Sequence, residues 1–160
     1  MRLGERLCIT HRGSMLGQLE EHDLVETGIY KNDRFTPLAS TELPVHREIY
    51  KRTSASAIVH AHPAYAVALS FCEKEIVPCD MEGMLLLSRV PVLAKKGPVA
   101  PGEMAEEIAE ALTKHKVVMV RGHGSFAVGQ LLEEAYYYTT TLEESCRVLY
   151  LLKMLQIKVS

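Results

Sequence analysis

The stretch Ala57-Ile58-Val59-His60-Ala61-His62-Pro63 decides how the rest of the chain is read. Ile58 and Val59 are β-branched and Pro63 closes the run, the pattern of a short strand that ends at a turn. Successive strand side chains point to opposite faces, so His60 and His62 share one face. Two imidazoles side by side suit a divalent transition metal. They also suit a polar strand end that binds nothing, and the stretch alone leaves both readings open.

Outward from that strand, helical and extended patterns alternate irregularly. Residues 7–10 read as a strand and 11–14 as a turn. Residues 20–23 read as a solvated turn, and 24–30 alternate as a second strand. Ser40 and Thr41 are N-cap candidates for a helix in which Leu43, His46 or Arg47, and Tyr50 recur at helical spacing. Pro44 is tolerated in its first turn. Beyond the histidines, 64–71 read as a short helix and 76–78 and 90–93 as extended pieces. Residues 81–87 stay open between strand, helix and covered loop. An amphipathic helix follows over 104–112. A buried-type strand over 117–120 breaks at Arg121-Gly122-His123-Gly124 and resumes to Gly129. The helical period then runs from Leu131 to about Ile157. The links from 10 to 24 and from 120 to 125 are too short for crossovers, which predicts an antiparallel or mixed sheet covered by helices.

With 160 residues, 48% of them hydrophobic and 24% charged, the chain fits one globular domain with a core of its own. A net charge of −2 offers no broad basic field for nucleic acid or a membrane surface. No apolar run approaches the roughly 20 residues a membrane span needs, and residues 1–5 do not read as a signal peptide. Cys8, Cys72, Cys79 and Cys146 form no C-x-x-C pair. Each sits in or beside an apolar segment, which predicts buried free thiols and a cytoplasmic, reducing setting.

Two further pieces bear on the histidines. In Gly122-His123-Gly124 the glycines let the backbone turn tightly and give the imidazole room. His123 either points to solvent or completes a three-histidine set, and three protein ligands with an open position is how catalytic zinc is held. Glu42, at a helix start, is either a carboxylate favoured there by the helix dipole or a proton carrier beside a metal.

Ser40-Thr41-Glu42, then His46 and Tyr50, then 57–62, and later Gly122-His123-Gly124 through Gly129, together resemble the class II aldolase/adducin family. The Ile9-Thr10-His11-Arg12-Gly13 turn resembles that family's I-T-P-[ST]-G. The resemblance implies zinc on His60, His62 and His123, and Glu42 as catalytic acid/base. It implies that Gly13, Ser40 and Thr41 donate to a substrate phosphate. It further implies a three-layer α/β/α sandwich around a mainly antiparallel, mixed sheet, and a homotetramer with sites near subunit contacts. The implied reaction is reversible retro-aldol cleavage of a ketose 1-phosphate to dihydroxyacetone phosphate and an aldehyde. Pentulose-phosphate 4-epimerases and methylthioribulose-phosphate dehydratases share the scaffold, and the adducin head is a non-catalytic form that lacks the metal histidines. The family's phosphate-holding Gly-Asn-x-Ser loop falls before Met1 and its C-terminal tyrosine beyond Ile157. Arg12 stands where a small hydroxyl residue is usual. The expectation is therefore a metal site that forms and phosphate affinity that is weak, offset in part if Arg12 grips the anion.

Overall fold

The computed structural model describes residues 1–94 and 102–157. The chain opens with β1 (Arg2–Leu3), β2 (Arg6–Thr10) and β3 (Leu24–Gly28), an antiparallel three-stranded sheet. Leu7 and Ile9 of β2 and Val25 of β3 face inward, alternating with outward residues. β3 stops at Gly28, short of the expected Tyr30. A Cβ at Gly28 would lie 2.5 Å from the Lys31 carbonyl oxygen, so the chain doubles back there in a turn that only glycine fits.

Helix α1 (Leu43–Arg52) begins after Glu42, not after Ser40 or Thr41. The reason is pairing: Ser40 N–H donates to Thr10 O at 2.9 Å, and His11 and Ala39 form an antiparallel bridge. Ala39 is thereby held extended beside the end of β2, directly after the short 3-10 turn Thr36–Leu38. The Ser40 hydroxyl accepts from Glu42 N–H at 3.2 Å, shaping the turn that enters the helix.

The remaining elements are β4 (Ala57–Ala61), α2 (Ala64–Ser70), β5 (Glu75–Ile76), α3 (Met81–Leu86), β6 (Val90–Leu93), α4 (Ala105–Leu112), β7 (Val117–Val120), β8 (Gly124–Gly129) and α5 (Leu132–Met154). The segment left open in sequence is α3, because the Asp80 carboxylate accepts from Gly83 N–H at 2.8 Å and caps it. Five strands form a second sheet in the order β4-β8-β7-β6-β5. Its pairs are antiparallel except β6 with β7. The connection of that parallel pair carries α4 and is long enough to cross over.

The sequence reading expected one sheet; there are two. Arg2 N–H donates to Ser56 O at 2.8 Å, so β1 touches the approach to β4. β1 is two residues long, and no ladder can continue from it.

The larger sheet is covered on both faces. Ile58, Val118, Val120 and Phe126 pack with α1 and α4, through Val45, Ile49, Ile108 and Leu112. Val117, Met119 and Ala127 pack on the other face with Leu69 of α2 and Ala135 and Leu142 of α5. β7 sends alternate residues into the two cores, which explains its uninterrupted apolar sequence. This is a three-layer α/β/α sandwich around a mixed sheet. In α5 Tyr138 is buried, while Tyr136 and Tyr137 face outward. All four cysteines are free, but only Cys146 is buried; Cys72 is exposed, because it lies past the end of α2. No helix among the described residues is long and apolar enough to cross a membrane.

Candidate metal centre

The β4–β8 register sets the centre. His60 lies opposite Phe126, and Ala61 opposite Ser125. The His60 ring stacks on Phe126 with centroids 4.2 Å apart and planes 18° from parallel. Its Nδ1 lies 2.9 Å from Ser125 O. A carbonyl can only accept, so Nδ1 carries the proton and Nε2 presents a lone pair. His62 follows β4 by one residue and brings its Nε2 to 3.0 Å from His60 Nε2. His123, in the β7–β8 turn, brings its Nε2 to 3.2 Å from the same atom. One ligand atom from each of the three histidines lies within 4.8 Å of the others.

The two glycines beside His123 act differently. Gly122 adopts φ +68°, and a Cβ there would lie 2.8 Å from Phe71 Cζ. A Cβ at Gly124 would lie 2.4 Å from Ala61 O and 2.5 Å from His62 Cδ2. The first glycine permits the turn, and the second lets β8 approach β4 closely enough for the rings to meet.

Burial pushes the His60 imidazolium down to about 4. The His62 and His123 values are also lowered, burial being the main cause in both. All three are therefore neutral at pH 7, the form that binds metal. A single N–H can bridge two of these nitrogens, but it cannot satisfy three that converge. A divalent cation can, and the donor set fits one.

Glu42 is buried, with Oε1 3.8 Å from His123 Nε2. Burial raises its pKa, and the nearby His62 pulls the other way. One helical turn on, at i+4, His46 is buried against the same cluster, its ring edge-on to Phe126 at 6.2 Å. Burial drives the His46 value down to about 3, so it is a neutral packing group. Phe126, the shelf under His60, drew no functional attention in the sequence. Its only signal there is its place two residues beyond Gly124.

The residues assigned to phosphate lie nearby in the chain's pairing. Arg12 N–H donates to Leu38 O at 2.8 Å, so the turn holding Gly13 runs alongside the segment that leads to Ser40 and Thr41. Gly13 and Thr41 are exposed and Ser40 is half-buried. Among the described residues, no hydrogen bond joins the three to the histidine cluster.

Comparison with known proteins finds relatives over most of the chain. A crystal structure of L-fuculose-1-phosphate aldolase from Thermus thermophilus aligns with a TM-score of 0.86 at 44% identity, covering 93% of this chain and 78% of that one. The L-fuculose phosphate aldolase of Methanocaldococcus jannaschii is 31% identical over 148 residues, 91% of this chain and 78% of the relative. A 3-oxo-tetronate 4-phosphate decarboxylase of Pectobacterium atrosepticum is 27% identical over 152 residues, 91% of this chain and 69% of the relative. Residues 1–150 match the model of the Class II Aldolase and Adducin N-terminal domain. With nearly its whole length accounted for by one family, and with a fold to match, the chain belongs to the class II aldolases and adducin N-terminal domains.

Proposed function

We propose that the protein is a zinc-dependent aldolase that cleaves a ketose 1-phosphate, of the L-fuculose 1-phosphate kind, to dihydroxyacetone phosphate and an aldehyde. The observation that carries this reading is the convergence of three neutral imidazoles beside one buried carboxylate. Two nitrogens on one tetrahedral zinc, each roughly 2.0–2.1 Å from it, sit about 3.3 Å apart. The separations of 3.0 and 3.2 Å at His60 are close to that. His60, His62 and His123 would hold the ion, which when bound would supply Lewis acidity to a substrate carbonyl.

In cleavage the C3–C4 bond breaks as the C4 hydroxyl loses its proton to become the aldehyde, and Glu42 delivers a proton to the carbon left beside the carbonyl. In the reverse condensation Glu42 removes that proton. Its burial suits the task, because a carboxylate with a raised pKa is a stronger base than an exposed one. Gly13, Ser40 and Thr41 provide backbone N–H and hydroxyl donors to the phosphate, and the start of α1 adds favourable charge. The chain acts as one domain, and its copies assemble as a homotetramer. Tyr136 and Tyr137, exposed on α5, are apolar surface suited to such a contact.

The test is metal analysis followed by incubation of the zinc-loaded protein with L-fuculose 1-phosphate. Dihydroxyacetone phosphate is then read by NADH oxidation with a coupling dehydrogenase. Release of carbon dioxide from a 3-oxo acid phosphate, epimerisation or dehydration would replace the aldolase reading by another on this scaffold. A folded, metal-loaded protein inert to all of these would end the enzymatic one.

A further inference from the structure

Of the three histidines, only His60 is held by the sheet. Its backbone belongs to β4, its Nδ1 is bound by Ser125 and its ring lies on Phe126. The pairing stops short of the other two. It ends at Ala61 with Ser125 on one side and at Val120 with Gly124 on the other. His62 and His123 project beyond the ladder, so something else fixes the distance between them.

Helix α2 occupies that place. It starts two residues after His62, with Val67 N–H donating to Pro63 O at 2.9 Å. Its other end meets the turn that holds His123. Gly122 N–H donates to the Ser70 hydroxyl at 2.9 Å, and that fully buried hydroxyl donates in turn to Val67 O at 2.6 Å. Arg121 donates from Nε to Ser70 O at 3.0 Å and from a terminal nitrogen to Glu73 O at 3.3 Å. Phe71 closes against Gly122. At the starting end, both carboxylate oxygens of Glu143 on α5 accept, from Tyr65 N–H and Ala66 N–H, each at 3.0 Å.

The lengths agree. β4 and β7 are separated by β8 alone, so they lie about 9.6 Å apart at the usual strand spacing. Seven helical residues rise about 10.5 Å. Helix α2 spans from one strand end to the other.

We propose that α2 is a strut that sets the His62–His123 separation. Ser70, Arg121 and Glu143 are then positioning residues for the metal, though none of them joins the histidine cluster. This rests on the reading of the histidines as a metal centre. Partners outside the ligand shell change metal affinity by roughly 10–100-fold in other sites.

The experiment measures Zn2+ affinity by competition with a chromophoric chelator, and Co2+ coordination by visible absorption, in the full chain at pH 7.5. Wild type, Ser70→Ala and Arg121→Ala are compared at a temperature where each metal-free protein is folded by circular dichroism. The expected result is a dissociation constant raised about tenfold in each variant, with a shifted and weakened Co2+ spectrum. A purely structural role would lower the metal-free melting temperature and leave both readouts unmoved. Arg121 is exposed, so Arg121→Ala decides the matter if Ser70→Ala fails to fold. Variants that bind within twofold of wild type overturn the strut alone. A folded wild type that binds neither ion overturns the metal centre and the strut with it.

Discussion

The two ends of the β4–β8 pair can be compared directly. At one end, where Ala61 faces Ser125, three imidazoles converge. At the other, where Ala57 faces Gly129, lies a depression of about 410 Å³ lined by Arg52, Ser54, Lys116, Gln130, Glu134 and Tyr138 among others. The second end is concave and charged, yet its polar groups answer one another. Glu134 accepts from Tyr138 hydroxyl and from Gln130 N–H, both at 2.7 Å. Gln130 donates to Ser54 O at 3.1 Å, Arg52 pairs with Glu48 and Glu106, and Lys116 sits 4.7 Å from the Tyr138 ring centre. At the histidine end three neutral imidazole nitrogens converge instead, the donor set that suits a divalent cation. Concavity is common; unmet donor chemistry identifies the site.

The largest expected effect would break the comparison if it failed. His123→Ala removes one of three ligands and should lower zinc affinity more than about a hundredfold, beyond the loss of an outer partner. Equilibrium dialysis checks it, and retained zinc would mean that the histidines do not act as one set. Glu42→Gln comes next. Turnover should fall by roughly 10²–10⁴ with bound zinc unchanged, as for loss of a general base. Steady-state rates beside metal content separate the two, and unaltered turnover would return Glu42 to a helix-start charge.

Acid sharpens the contrast between the ends. His46 is held neutral by burial, with its value near 3 against 6.5 when exposed. The unfolded chain therefore binds the extra proton first. The stability this group contributes is complete above about pH 6.5 and is lost progressively as pH falls towards 3. Urea unfolding of the metal-free protein at several pH values should show this slope added to that of His60, whose value is also lowered, and His46→Gln should make it shallower. The smallest effect belongs to the far end. Tyr138→Phe removes one hydrogen bond and should cost about 0.5–1.5 kcal/mol, with zinc affinity and turnover unmoved. A change in either would mean that the depression communicates with the centre.

Much of this was legible in the sequence because it is local. Strand alternation put His60 and His62 on one face, and the glycines around His123 announced a turn with room for a ring. The amphipathic period marked α4 and α5. Other features depended on residues far apart in the chain. Ser40 looked like a helix cap until its pairing with Thr10 held it extended. One expected sheet became two because β1 is too short to carry a ladder across to β4. Cys72 looked buried beside its apolar neighbours, yet it falls outside α2 and faces solvent.

The sequence by itself determined which side chains could serve a metal, because backbone geometry and residue chemistry act over a few positions. Only the tertiary structure decided that they meet. The register of β4 on β8 brings Gly124 against Ala61 and the rings of His60 and His62, and α2 ties the far side of the turn at Gly122 to the residues after His62. Register is set by long-range burial on two sheet faces at once, and a shift of one residue would send His60 to the opposite face.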